Sequence, residues 1–189
     1  GQLTKVIMRI IGGKFRSRPL HQPKFKPTRP TTDIAKEGLF NILSNRFNFD
    51  KVSFLDLFSG TGSISYEFAS RGCQDITSVE RHRPCLNFIK QTSQTLGIPN
   101  HKIFSMDVFK YIGRCETSYD LIFAGPPYGM PKLDTLPDII ITNNMINDVG
   151  YLILEHNPNH NFNNHPHFLE SRNYGQTIFA IFTKEEVDK

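Results

Sequence analysis

The sequence contains no apolar run approaching the roughly 18 residues that a helix needs to cross a bilayer, so a helical membrane span is excluded. Cysteine is scarce. Cys73, Cys85 and Cys115 stand far apart, form no CxxC pair and leave an odd thiol, which argues against a disulfide framework or a zinc cluster. A reducing cytoplasm fits that usage. Gly1 to Arg9 lacks the apolar stretch of a secretory signal, and Gly1 is the kind of residue a removed tag leaves behind. Acid is missing altogether from the first 30 positions. What remains is ordinary: 189 residues, 38% hydrophobic and 21% charged, describe one globular domain with a short appendage and exclude a disordered or collagenous chain.

The missing acid is the more informative absence. Lys5, Arg9, Lys14, Arg16, Arg18, Lys24, Lys26 and Arg29 give residues 1–30 a charge of +8, against −4 for residues 31–189 and +4 in total. A basic arm on a mildly acidic body fits a partner that carries phosphates, because neutralising them releases condensed counterions. Phe15 and Phe25 interleave the charges, which favours nucleic acid over a merely solvated terminus. The expected division is therefore a basic arm and connector over residues 1–30 and a main domain over residues 31–189.

The arm carries strand signals. Val6 to Ile11 is β-branched, Gly12-Gly13 is a hairpin turn signal, and Lys14 to Leu20 can return as a second strand. His21 to Pro30, with three prolines, predicts an extended connector, after which Thr31, Thr32 and Asp33 offer N-caps for a helix to Asn45. From Val52 the chain alternates. Strands are predicted at Val52–Phe58, Asp75–Glu80, Ile103–Ser105, Tyr119–Ala124 and Tyr151–Glu155, and helices at Ser63–Arg71, Pro84–Leu96, Val108–Arg114 and Pro137–Asn147. This rhythm implies a parallel sheet, to which Phe168–Arg172 and Gln176–Phe182 add an antiparallel hairpin around Asn173-Tyr174-Gly175. His156 to His167, rich in Asn and His, predicts a surface loop.

Three constellations carry chemistry. Asp56-Leu-Phe58-Ser-Gly60-Thr-Gly62 ends a strand and opens a helix, where glycines admit a ligand close to the backbone. The third glycine of a dinucleotide fingerprint is absent, which weakens a nicotinamide or flavin reading. Glu80 ends the next strand, 20 residues after Gly60, placed to accept bonds from two ribose hydroxyls. Met106-Asp107-Val108 can receive an adenine amino group and pack on its ring, or Asp107 can simply cap the helix that follows. Gly125-Pro126-Pro127-Tyr128 is a rigid loop after a strand, its aromatic able to stack on a planar base. His156, His160, His165 and His167 lack accompanying carboxylates or thiolates at ligand spacing, so no metal is expected. Cys73 and Cys85 read as packing residues.

Met8-Arg-Ile-Ile-Gly-Gly-Lys-Phe-Arg-Ser-Arg-Pro-Leu20, Arg29-Pro-Thr31-Thr-Asp33 with Glu37 and Leu39-Phe40-Asn41, the glycine loop, and Arg172-Asn-Tyr-Gly175 together resemble the RsmD family. The glycine loop is common to class I methyltransferases; the N-terminal strings are the diagnostic ones. The resemblance runs nearly end to end and implies a Rossmann-like class I methyltransferase fold, an α/β, seven-stranded, mostly parallel sheet with a C-terminal antiparallel hairpin and a small N-terminal β-hairpin extension. It implies a cytoplasmic enzyme, expected to be a monomer, moving a methyl group from S-adenosylmethionine to guanine N2 of bacterial 16S ribosomal RNA, of the guanine-966 type, on RNA or an assembling small subunit. By that resemblance Asp56, Phe58, Gly60, Gly62, Glu80, Arg81, Asp107 and Val108 hold cofactor. Gly125, Pro126, Pro127 and Tyr128 form the catalytic motif, and Arg9, Lys14, Arg16, Arg18, Arg29 and Thr31 meet RNA. One residue departs from the pattern. The family motif begins with Asp or Asn, whose oxygen accepts an N–H of the target amine, and Gly125 has no such group. Another acceptor or water replaces it; the alternative is a weakly active or non-catalytic RNA-binding assembly protein on the same fold.

Overall fold

The computed structural model describes residues 5–23 and 31–188. A two-stranded antiparallel ribbon, β1 (Lys5–Arg9) with β2 (Pro19–Pro23), precedes α1 (Asp33–Arg46), and Thr32 caps α1 by accepting from the Ala35 N–H. Then follow β3 (Ser53–Leu57), α2 (Ser63–Ser70), β4 (Asp75–Glu80), α3 (Arg83–Leu96), β5 (His101–Ser105), α4 (Val108–Arg114), β6 (Tyr119–Ala124), α5 (Leu136–Thr142), β7 (Ile146–His156), β8 (Phe168–Tyr174) and β9 (Thr177–Phe182).

The main sheet has the order β5-β4-β3-β6-β7-β9-β8, parallel from β5 to β7 and antiparallel through β9 and β8. The predicted α/β class, seven strands and terminal hairpin are all present. Apolar side chains alternate to both faces of the central strands. Phe54, Leu121 and Phe123 pack on one side with α1 and α2; Leu55, Leu57 and Ile122 pack on the other with α4 and α5. Strand order reverses between β3 and β6, so the crevice at their C-terminal ends lies at the switch point where doubly wound sheets take their ligands.

The structure corrects two sequence-based boundaries. Gly12-Gly13 does not turn a tight hairpin, and Lys14 to Arg18 is not strand. Residues 10–18 form a longer loop laid on the C-terminal end of α2, where the Lys14 N–H donates to the Ser70 carbonyl (2.8 Å) and the Phe15 N–H to Ser70 Oγ (2.9 Å). Gly13, at φ +77°, is required because a Cβ there would collide with the Ser70 backbone. The last helix, expected to reach Asn147, stops at Thr142, since buried Ile146 already pairs with Tyr119 as the start of β7.

Candidate active site

The glycine loop begins where β3 runs out. Phe58 takes a left-handed φ of +60°, costly for a residue with a Cβ and typical of backbone strained at a site. Gly60 (φ +57°) and Gly62 (φ +90°) follow, and Gly62 starts α2 at a spot where a Cβ would run into the Tyr66 ring. Glu80 fixes the loop from the neighbouring strand. Its Oε1 accepts the Gly60 N–H (2.7 Å), and its Oε2 accepts the N–H groups of Arg81 (2.9 Å) and His82 (2.8 Å). Three backbone donors therefore already converge on a carboxylate that the sequence assigned to ribose alone.

Asp56 lies beneath the loop, only 1% exposed, and accepts a bond from Ser65 Oγ (2.6 Å), which also meets Ser78 Oγ (2.7 Å). Burial pushes its carboxyl up to about 7, against the restraining bond from Ser65. Asp107 caps α4 by accepting the Lys110 N–H (3.1 Å), so the capping role is realised, and its Oδ2 faces the exposed Arg81 guanidinium at 3.3 Å. Val108 is buried behind it.

Across the crevice, the Gly125 N–H donates to the Leu57 carbonyl (3.2 Å), Pro126 is buried and Pro127 exposed. The Tyr128 hydroxyl donates to Glu155 Oε2 (2.9 Å) and contacts Thr177 Oγ1 (3.3 Å). Thr31 Oγ1 donates to the other oxygen, Glu155 Oε1 (2.9 Å). His160 backs this loop, with one ring nitrogen 3.2 Å from the Tyr128 carbonyl and the other 2.7 Å from Asp134.

These parts enclose one cavity of about 1150 Å³. Asp56, Phe58, Gly60, Glu80, Arg81, Asp107 and Val108 line one end of it and Gly125 to Tyr128 the other, while Gly62 stands off the wall. Thr31, expected at RNA, also lines the cavity. Glu155, which the sequence marks only as the end of a predicted strand, is a buried wall residue; its signal was an acid at the C-terminal tip of the strand beside the proline motif.

The basic residues lie elsewhere. Arg9 is exposed on β1, and Lys14, Arg16 and Arg18 are exposed on the 10–18 loop rather than alternating along strands. Phe15 is a core residue, not a free stacking ring, with Lys14 Nζ 5.1 Å and Arg18 Cζ 5.9 Å from its centroid. Those two cations thus flank one ring. Arg29, Lys24, Lys26 and Phe25 fall outside the described residues. Cys73 and Cys85 are buried, and burial pushes their thiols up to about 11 and about 12, which suits packing rather than nucleophilic use. Among the described residues no cluster is arranged to hold a metal, and no helix is long and apolar enough to cross a membrane.

Residues 8–183 match the family described as conserved hypothetical protein 95. The chain is 30% identical to ribosomal RNA small subunit methyltransferase D of Buchnera aphidicola, over 78% of its own length and 75% of the relative's. The chain belongs to the RsmD family. Another relative of this RsmD-family chain, YlbH of Bacillus subtilis, is 33% identical over 79% of the chain and 82% of its own length. Among solved structures, Escherichia coli yhhF superposes with a TM-score of 0.82 at 24% identity, covering 96% of this chain and 100% of that one. The Thermus thermophilus 16S rRNA N2 G1207 methyltransferase RsmC, solved with AdoMet and guanosine, gives 0.73 at 16% identity over 98% of this chain and 52% of that one. Both carry the class I methyltransferase fold found here.

Proposed function

We propose that this protein transfers a methyl group from S-adenosylmethionine to the exocyclic N2 amine of a guanine in bacterial 16S ribosomal RNA, of the guanine-966 type, acting in the cytoplasm on RNA or an assembling small subunit. The observation that carries the reading is a single crevice with a nucleoside-type glycine and acid loop at one end and a proline-tyrosine loop at the other. The residues present fit the cofactor. Gly60 leaves backbone open to it, with no neighbour where a Cβ would stand; Glu80 and Asp107 offer acceptors along the wall, and Val108 with Met106 offers an apolar surface. Bound there, the cofactor supplies an electrophilic methyl on a sulfonium. The protein's part is positioning: Pro126 and Tyr128 hold a flat base against the methyl donor.

Asp56 makes the cofactor end pH-sensitive. A buried carboxyl near 7 is ionised only above that pH, and a cationic ligand end favours the ionised form. Below about 7 binding must therefore expel a proton, so cofactor affinity is expected to rise by up to about tenfold per pH unit and level off above 7. Calorimetric titration across that range checks it, and a flat profile would show that Asp56 does not face the charged end.

The exposed arm is proposed to grip phosphates. Replacing Lys14, Arg16 and Arg18 with Ala is expected to flatten the log-log salt dependence of RNA binding by about 2 to about 3, at roughly 0.7 to 0.9 per contact. Cofactor affinity, measured in parallel, stays unchanged. An unaltered slope would make the arm a solubilising surface. The function itself is tested by tritium transfer to small-subunit RNA from a strain lacking the gene, followed by nucleoside analysis. N2-methylguanosine supports the reading; RNA binding without incorporation supports the non-catalytic alternative that Gly125 raises.

A further inference from the structure

We propose that Glu155 supplies the side-chain acceptor that position 125 lacks, taking an N–H of the target amine during methyl transfer; this rests on the guanine methyltransferase reading above. The register of β6 and β7 pairs Ala124 with Leu154, which makes Gly125 and Glu155 the next neighbours at the strand tips. Neighbouring strands lie about 4.8 Å apart. Side chains alternate along a strand, and Phe123 and Ile153, two residues before each, pack into the same core on one face of the sheet. A side chain at position 125 and that of Glu155 therefore emerge side by side on one face, both on the cavity wall.

Glu155 is built for that use. It is 2% exposed, and the hydroxyls of Thr31 and Tyr128 each donate to one of its oxygens, which fixes the plane of the carboxylate. The other carboxylates on the wall stand on strands or loops that β6 does not pair beside position 125 in this way: Asp56 bonds Ser65, Glu80 the glycine loop, and Asp107 caps α4. A guanine amine is a poor nucleophile because its lone pair is delocalised into the ring. Accepting an N–H from it turns that pair toward the methyl carbon. The new bond joins that carbon to N2 as the carbon–sulfur bond breaks with its electron pair left on sulfur, and the nitrogen then sheds one proton to water.

The test uses full-length protein, single-turnover transfer to the same RNA, and calorimetric cofactor affinity. Glu155→Ala is expected to slow transfer about 100-fold, as loss of one positioned hydrogen-bonding group does, with cofactor affinity unchanged. Glu155→Gln, which keeps an acceptor oxygen, should retain most of the rate. Gly125→Asn in the Glu155→Ala background should restore it, since the nearest atoms to a Cβ at 125 belong to the edge of the Phe123 ring (Cε1 3.0 Å), which must shift slightly, and φ there is not left-handed. If Glu155→Ala gives no cooperative melt, Glu155→Leu, of similar volume and without an acceptor, is read in its place. A wild-type rate in the Ala or Leu variant overturns the proposal and leaves the methyltransferase reading intact. A slow variant that Gly125→Asn does not restore also overturns it, making Glu155 a clamp for Thr31 and Tyr128. Absence of transfer by the wild type removes both.

Discussion

Lys36→Met is expected to destabilise the fold by about 3 to 5 kcal/mol, the cost of stripping one partner from a buried ion pair. Lys36 is 1% exposed and Glu67 is fully buried, with Nζ 3.9 Å from Oε1. The ammonium also donates to the Arg9 carbonyl (2.6 Å) and Ser63 Oγ (3.0 Å), while Glu67 accepts from the Ile11 N–H and from Arg71 Nε (3.3 Å). Burial drives the Lys36 ammonium below its ordinary value, and Glu67 and Asp33 push back against that shift. Removing the ammonium leaves buried Glu67 with the Arg71 guanidinium and the Ile11 N–H but without its lysine partner. For a chain of this length the melting temperature should fall by roughly 6 to 20 °C. Protease cutting within residues 5–18 should rise at the same time, because the pair joins the arm to α1 and α2. The double variant Lys36→Met with Glu67→Gln should recover part of the loss, since a neutral amide still accepts from Ile11. A single variant that melts like the wild type would mean the pair contributes nothing net.

That seam explains where sequence reading ended. The βα rhythm was legible because strands buried on both faces must be apolar throughout, and Gly72 and Gly97 mark the stops after α2 and α3. The glycine loop and the proline motif were legible because their chemistry depends on residues adjacent in the chain. The docking of the arm was not. It uses Lys36, Glu67 and Ser70, three polar residues that a hydrophobic pattern assigns to solvent, and it converts a glycine pair from a hairpin turn into a close approach to Ser70. Glu155 escaped for a related reason. Its neighbours come from two separate stretches, Thr31 before α1 and the Gly125–Tyr128 loop after β6, brought to it only by the register of β6 with β7 and by the chain entering α1.

Glu80→Ala should lower cofactor affinity and stability together, not affinity alone as the sequence implied. On the sequence reading the carboxylate waits for ribose hydroxyls, and its loss removes only a ligand contact. The structure gives it a prior task. The N–H groups of Gly60, Arg81 and His82 all donate to it, so it sets the shape of the glycine loop before any ligand arrives. Charge-assisted bonds of this kind are worth about 1.5 to 3 kcal/mol each where water is excluded. Arg81 is exposed and its amide can turn to solvent, whereas Gly60, left-handed at φ +57°, loses the anchor that holds an unusual backbone in place. The expected result is a stability loss of about 1 to 3 kcal/mol in the cofactor-free protein and a fall in S-adenosylmethionine affinity of about 100-fold or more, the second containing both the ribose contact and the disordering of the loop. Glu80→Gln separates the two contributions. Its amide oxygen can still accept the Gly60 N–H, so the melting temperature should recover most of its value, while its NH₂ group opposes the Arg81 and His82 donors and affinity recovers less. Affinity that survives Glu80→Ala despite a large drop in melting temperature would confine Glu80 to the loop and remove it from the cofactor's contacts.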